Sequence, residues 1–194
     1  PIEVLRGVFA NWWQQGADSV ATFNWSNAPP DACRAVGALP GPLTHRQAYQ
    51  EIGSPKTMEF KDKTFVVERR GGYPWAEGFF NRNDTAPLPL LLAADGTPAT
   101  LQMRISDDLP THAARVKSVF LRAVLFNAAD DQRVEVSLNG VPLPPLERDP
   151  QWKDPQIFSP QPQPASGGTG DYRVNPRQRL LRLDFSIAPS QCRL

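Results

Sequence analysis

Two pairs of neighbouring aspartates, Asp107–Asp108 and Asp130–Asp131, are of a type that could support acid–base chemistry or hold a hard cation. Carboxylate oxygens are the ligands that Ca²⁺ prefers, and two carboxyl groups that face one substrate can act as acid and base. Adjacent residues of an extended chain point to opposite sides, however, so neither pair converges on one point. Turn or strand-end capping roles are favoured, and we expect neither a metal nor a cofactor.

Histidines and cysteines are equally sparse. His45 opens a predicted helix, His112 lies in a polar loop, and no G-x-S-x-G nucleophile motif accompanies them. Cys33 and Cys192, the two cysteines of the chain, have neither metal-ligand spacing nor the CxxC pattern of redox sites. Two separate thiols are favoured over a disulfide, although the sequence leaves both open. We therefore expect no complete catalytic site within this chain.

The composition argues against two further classes of function. The chain has 21 basic and 20 acidic residues, interspersed, for a net charge of +1. Nucleic-acid-binding proteins usually carry a basic stripe, and without one we expect no nucleic-acid partner. No apolar run approaches the roughly 18 residues that span a bilayer, so we expect no membrane partner. The 21 prolines, about twice the average share, indicate many loops and edge segments.

The first sixty residues have the spacing of helices around one short strand. Five apolar residues follow the i, i+3, i+4, i+7, i+8 spacing of one helix face, namely Leu5, Val8, Phe9, Trp12 and Trp13. Gly16 is suited to end this helix. The apolar run Val20–Phe23 predicts a strand buried on both faces, and Thr44–Ile52 predicts a second, short helix. Helix, turn and buried strand are typical of an α/β unit.

Most of the remaining chain alternates apolar and polar residues, as strands with one buried face do. The alternation is present in Leu101–Ile105 and clearest in Arg115–Asn127 and Leu181–Ile187, and Asn139–Gly140 is the strongest short hairpin signal. Strands with one apolar face need a second layer, so we predict a mainly β fold, an antiparallel jelly-roll-like β-sandwich. The predicted domains are 1–62, a helix–strand–helix segment, and 63–194, the sandwich with a proline-rich insertion at about 144–175.

Several short motifs resemble the C-terminal part of glycoside-hydrolase-like (β/α)8 barrel proteins with an appended β-sandwich. They are Gly16–Trp25, Glu51–Pro55, Lys61–Val67, Ile105–Leu109 and Val136–Leu143. The first is similar to the family's last barrel strand, although Ser19-Val20-Ala21 stands where Gly-Ile-Tyr is usual. The resemblance implies an upstream barrel segment of the same parent protein, which would carry the two catalytic carboxyl groups that glycosidases need. It also implies a secreted or cell-envelope location, and the absent initiator Met predicts a chain cut from a longer precursor.

The resemblance also predicts where carbohydrate would bind. Asn24 and Trp25 would follow the last barrel strand, at the rim where barrel active sites lie. Trp152, in the insertion, is a further exposed-aromatic candidate. An indole face can stack on the C–H face of a sugar ring, while an amide can bind hydroxyl groups. The alternative for Trp25 is that it packs beneath the loop of residues 26–43.

The resemblance therefore implies a C-terminal accessory region of a carbohydrate-active protein. It would support the barrel and contact polysaccharide without catalytic residues of its own. The alternative is a purely structural or protein-interaction β-sandwich that has no affinity for sugars.

Overall fold

The computed structural model describes five stretches of the chain, residues 2–22, 42–68, 85–129, 132–152 and 180–192, and for residues 42–45 it describes the backbone alone. The chain forms two compact units. The described residues up to Ser106 make the first, which we call the helical unit, and those from Asp107 onward make the second, the β unit. The domain boundary predicted after residue 62 lies inside the helical unit.

Three α-helices lie in the described stretches of the helical unit: α1 (Ile2–Gln14), α2 (Pro42–Glu51) and α3 (Pro55–Met58). The helices predicted from the sequence are confirmed, with α2 beginning two residues before Thr44. Gly16 follows α1 at φ +89°, a left-handed conformation that glycine adopts without strain, and its N–H donates to the Trp13 carbonyl. Ser54 caps α3 by accepting a hydrogen bond from the Lys56 N–H at 3.3 Å.

One apolar cluster holds these helices together. Its buried members are Phe9, Ala10, Ala48, Ile52 and Met58, and Ile2, Leu5, Trp13 and Val20 pack against it. Trp12, predicted for the apolar face of α1, is 47% exposed and instead meets the Phe9 ring edge-on at 4.8 Å. Arg6 and Gly7 of α1 are also buried. The buried face of α1 is therefore rotated about the helix axis relative to the predicted apolar face.

Gly7 is buried because another backbone segment runs directly against α1. A Cβ atom at this position would lie 2.2 Å from the Thr64 carbonyl oxygen, far inside van der Waals contact. The Thr64 N–H donates to the Glu3 carbonyl at 2.9 Å, which fixes the same approach. Gly7 thus lets the chain after α3 return along the first helix.

Two segments of this unit were predicted to be strands, one in the helix–strand–helix segment and one in the sandwich, and neither is found as a strand in the described residues. Residues 20–22 form no strand and Ala21 is exposed, so the doubly buried strand predicted over Val20–Phe23 is wrong for these three residues; Phe23 lies outside the described stretches. Leu101–Ile105 also forms no strand, and Leu101 and Met103 are 40% and 41% exposed. A predicted strand forms only where a partner completes the hydrogen-bonded ladder. None of the described residues pairs with residues 20–22 or with Leu101–Ile105.

The described residues of the β unit form five short or medium strands: β1 (Val119–Phe126), β2 (Val136–Leu138), β3 (Val141–Leu143), β4 (Glu147–Asp149) and β5 (Leu180–Ile187). The order β1-β5-β4 makes one antiparallel sheet, and β2-β3 make a separate hairpin. Asn139 and Gly140 connect the hairpin with φ of 51° and 83°, which confirms the predicted tight turn. The Asn139 side chain also donates to the Gln191 carbonyl at 2.7 Å.

Strand β5 carries most of the buried apolar surface of the β unit. Leu181, Leu183, Phe185 and Ile187 are all at most 5% exposed, and their partners across the ladder are Leu125, Ala123, Leu121 and Val119. These residues share one face of the sheet because side chains alternate along a strand. The opposite face, which we call the polar face, carries all the polar residues of β1 and β5. These are Arg122, Arg182, Asp184 and Ser186, and they lie beside the apolar Phe120, Val124, Phe126 and Leu180.

The described residues therefore form small antiparallel sheets with few helices, in rough agreement with the predicted mainly β fold. Among the described helices none is long and apolar enough to cross a membrane.

Candidate functional site

The polar face of the three-stranded sheet places charged residues in two rows. In the first row, Arg122 of β1 lies opposite Asp184 of β5, which lies opposite Glu147 of β4. The second row contains Val124, Arg182 and Asp149 in the same strand order. We call this surface the Trp152 face; it comprises Phe120, Arg122, Glu147, Asp149, Trp152, Arg182 and Asp184.

A bidentate ion pair forms the centre of the Trp152 face. Arg122 Nε donates to Asp184 Oδ1 at 2.8 Å, and Arg122 Nη2 donates to Asp184 Oδ2 at 2.9 Å. The Arg122 guanidinium, through these hydrogen bonds, lowers the pKa of Asp184 below its ordinary value. The Arg122 side chain is 54% exposed whereas that of Asp184 is 12% exposed, so the pair is open to solvent on the arginine side.

Arg182 connects the remaining carboxylates of the face. Its Nη2 donates to Glu147 Oε1 and lies 3.9 Å from Asp149 Oδ2, while its Nε lies 3.4 Å from Asp184 Oδ2. The Arg182 side chain is partly buried, with 14% of its surface exposed. Arg122 hydrogen-bonds to Asp184 and Arg182 to Glu147, while Asp149 lies at the outer limit of ion-pair distance from Arg182.

A local turn brings Trp152 onto this face. Asp149 Oδ1 accepts a hydrogen bond from the Gln151 N–H at 2.9 Å, which bends the chain immediately after β4. The Trp152 ring centroid then lies 5.8 Å from Arg122 Cζ, within cation–π range. Trp152 is half-buried, so part of its ring remains open to solvent.

The face thus combines groups that bind polyhydroxylated molecules. Phe120, 61% exposed, lies two residues before Arg122 on the same side of β1. Aromatic rings offer stacking surface, and carboxylate and guanidinium groups accept and donate hydrogen bonds to hydroxyls. The arrangement lacks a pair of free carboxyl groups facing a common space, because each carboxylate of the face is engaged by an arginine. It is suited to binding rather than to acid–base catalysis.

A second arginine–carboxylate cluster lies in the helical unit. Arg6 donates to both oxygens of Glu51, from Nε to Oε2 at 2.6 Å and from Nη2 to Oε1 at 3.2 Å. Gln47 and Lys61 add contacts to Oε1 at 3.1 and 2.8 Å. The hydrogen bond from Arg6, with those from Lys61 and Gln47, lowers the pKa of Glu51 to about 2. Both side chains of the Arg6–Glu51 pair are 9% exposed, so this cluster is buried within the unit and stabilises it.

Of the three predicted carbohydrate-contacting residues, Trp152 lies in the described part of the chain, on the Trp152 face. Asn24 and Trp25 lie outside the described residues, so their predicted roles stay predictions. Asp108 accepts a hydrogen bond from the Thr111 N–H at 3.1 Å, in agreement with the predicted turn role, while Asp130 and Asp131 lie outside the described residues.

In the described stretches of the chain, no three His, Cys, Asp or Glu side chains come close enough to hold a metal ion. Cys192 is a buried free thiol, and burial raises its pKa. Cys33 lies outside the described residues.

The sequence did not single out Arg122, Arg182 or Asp184 as site residues. Charged residues on the polar side of an alternating strand are usually solvated, and nothing in the linear order indicates which of them meet. A usable signal was present in Arg122, which interrupts an otherwise apolar run, whereas Asp184 is one of several polar residues in an alternating strand. Their pairing required the antiparallel register of β1 and β5.

Comparison with known proteins returned no relative: no protein-family model, no curated protein and no solved structure matches this chain.

Proposed function

We propose that this chain is the C-terminal accessory region of a carbohydrate-active, glycoside-hydrolase-like protein, and that its β unit contacts polysaccharide through the Trp152 face. In this proposal the sheet and the β2-β3 hairpin belong to a jelly-roll-like β-sandwich. An upstream barrel segment of the parent protein would carry the catalytic groups, and the helical unit would adjoin it.

The main support for carbohydrate binding is the position of Trp152 beside the Arg122–Asp184 ion pair. The indole ring stands 5.8 Å from Arg122, whose guanidinium is held by Asp184 through two hydrogen bonds. A sugar ring has an apolar C–H face and an equatorial belt of hydroxyls, so it needs a flat ring and polar groups side by side. The Trp152 face supplies both within one sheet.

Preorganisation adds to this argument. Arg122 is held by two hydrogen bonds to Asp184, and Arg182 donates one to Glu147, so these side chains are already paired before a ligand arrives. Ordering an interfacial side chain costs about 0.5–1.5 kcal/mol, and existing pairs reduce that cost. The motifs that resemble the sandwich of glycoside-hydrolase-like proteins, Ile105–Leu109 and Val136–Leu143, support the same assignment.

Affinity electrophoresis against a panel of soluble polysaccharides tests the proposal. We expect the chain to be retarded by at least one polymer, and Trp152→Ala to weaken that binding roughly tenfold, because a central tryptophan often contributes about 1.4 kcal/mol or more to recognition. Trp12→Ala is the matched control, since Trp12 is 47% exposed in the helical unit. It should leave the retardation unchanged.

Two outcomes would contradict the proposal. Unchanged mobility on every polymer would favour the alternative, a purely structural or protein-interaction role. Equal effects of Trp152→Ala and Trp12→Ala would show that the Trp152 face is not the contact surface. Trp25→Ala, in the same gels, tests the separate prediction for the segment that contains Asn24 and Trp25.

A further inference from the structure

We infer that the Trp152 face selects neutral polysaccharides over those that carry carboxylate or sulfate groups. The inference rests on the proposed function and specifies the class of ligand for that site. It follows from the net balance of positive and negative charges on the face, which the proposed function does not use.

The described residues of the face carry one net negative charge. Arg122 and Arg182 supply the positive charges, and Glu147, Asp149 and Asp184 supply the negative ones. Both guanidinium groups are engaged by these carboxylates, that of Arg122 at 2.8 Å and that of Arg182 at 3.4 and 3.9 Å. A site built for anions presents arginines in excess over acids, and this face has the reverse balance.

The exposed groups make the same point. The Glu147 side chain is 54% exposed and that of Asp149 is 30% exposed, so carboxylate oxygens reach the surface on the β4 side. An anionic polymer lying on β4 would bring like charges together, whereas hydroxyl groups can donate hydrogen bonds to the same oxygens. A neutral sugar also avoids the cost of removing an ionised group from water.

Matched polymer pairs test this inference. The probes are hydroxyethylcellulose with carboxymethylcellulose, and methyl-esterified polygalacturonate with its de-esterified form. If the chain binds either backbone, we expect the neutral member to bind about two- to fivefold more tightly at about 10 mM salt, a ratio in keeping with exposed charge interactions. The ratio should fall toward one at about 0.5 M salt, because the screening length shrinks from about 30 Å to only a few ångströms.

A charge variant gives the second arm. In Glu147→Gln/Asp149→Asn the face changes from one net negative to one net positive charge, while the amide oxygen introduced at position 149 can still accept the turn hydrogen bond from Gln151. We expect the anionic polymers to gain about two- to fivefold in affinity at low salt. Glu59→Gln/Asp62→Asn is the control, since it makes the same change in total charge on exposed residues of the helical unit. It should leave the preference unchanged.

The outcomes separate the inference from the proposed function. Binding that depends on Trp152 but is as tight or tighter for the anionic member would overturn the neutral preference and leave the carbohydrate function standing. Equal shifts from the two double variants would also overturn it, because the effect would then come from total charge. No binding of any probe or panel polymer would remove the proposed function itself, and the inference with it.

Discussion

The two units of this protein each contain a bidentate arginine–carboxylate pair, and the pairs differ in their surroundings. Arg6–Glu51 in the helical unit joins atoms at 2.6 and 3.2 Å, and Arg122–Asp184 in the β unit joins atoms at 2.8 and 2.9 Å. The first pair is 9% exposed on both sides, whereas Arg122 is 54% exposed. Similar geometry therefore occurs once in a buried place and once at a surface.

This difference in exposure determines which pair can contact a ligand. Arg6 also donates to the Asp62 carbonyl at 3.0 Å, and Glu51 also accepts from Gln47 and Lys61, so the buried pair is enclosed by partners from several segments. Removing one member would leave a charge in a place that water cannot readily reach. The half-exposed pair has a tryptophan beside it and solvent in front of it, so its groups can meet another molecule. Burial therefore separates a stabilising pair from a candidate recognition pair.

The largest expected effect comes from breaking the buried pair. Glu51→Ala should lower the free energy of unfolding of the helical unit by about 3–5 kcal/mol, because Arg6 would stay buried without its counter-charge. Urea denaturation, with amide hydrogen exchange to locate the loss in α1 and α2, measures this. As a control, Arg6→Met/Glu51→Leu should lose clearly less, since it removes both charges. A loss below about 1 kcal/mol for Glu51→Ala would remove the contrast between the pairs.

The second-largest expected effect is a loss of stability of the helical unit on acidification, through Glu51 of the buried pair. The pKa of Glu51 is about 2 in the folded chain and its ordinary value is 4.5, so the unfolded state binds the proton more tightly. The contribution of Glu51 to stability is therefore fully present above about pH 4.5 and is lost as the pH falls toward 2, with a total of order 3 kcal/mol. Urea midpoints of the helical unit from about pH 6 to about pH 2.5 should decline in this window.

Glu51→Gln provides the control for the acid effect. The variant should be less stable at about pH 6 and should show a flatter decline, because its amide does not titrate. The pKa of Asp184 is also lowered, by its hydrogen bonds with Arg122, so the β unit should lose stability in the same direction on acidification. A pH profile for Glu51→Gln that matches the unmodified chain would show that other carboxylates dominate acid unfolding.

The smallest stability effect is expected at the exposed arginine. Arg122→Ala should lower the free energy of unfolding of the β unit by less than about 1 kcal/mol, because exposed ion pairs contribute little and Arg182 still lies 3.4 Å from Asp184. Thermal unfolding with hydrogen exchange across β1 and β5 measures it. A loss of about 3 kcal/mol or more would place this pair in the same structural class as Arg6–Glu51.

Local pattern was sufficient for several elements. The apolar spacing of Leu5 to Trp13 predicted α1, the alternation in Arg115–Asn127 and Leu181–Ile187 predicted β1 and β5, and Asn139–Gly140 predicted the hairpin. In each case the signal lies within a few residues, in side-chain periodicity or in the φ values that a turn requires. These elements can therefore be predicted without knowing which distant residues they contact.

Pattern failed where an element depends on a distant partner. Leu101–Ile105 alternates as a strand does, yet it has no strand partner among the described residues and forms no strand. The burial of Arg6 likewise depends on a distant residue, because a charged side chain is buried only where a partner such as Glu51, 45 positions away, meets it. For the candidate site, the sequence analysis named Trp152 as a prediction and did not single out the charged residues around it.

Residue order alone therefore determined the helical and extended periodicities and the hairpin turn. Those features depend on neighbours only a few positions apart. The tertiary structure decided that Arg122 meets Asp184, 62 positions later, and that Trp152 stands beside them. It also decided which arginine is buried and which faces solvent, because burial depends on the packing of segments that are far apart in the chain.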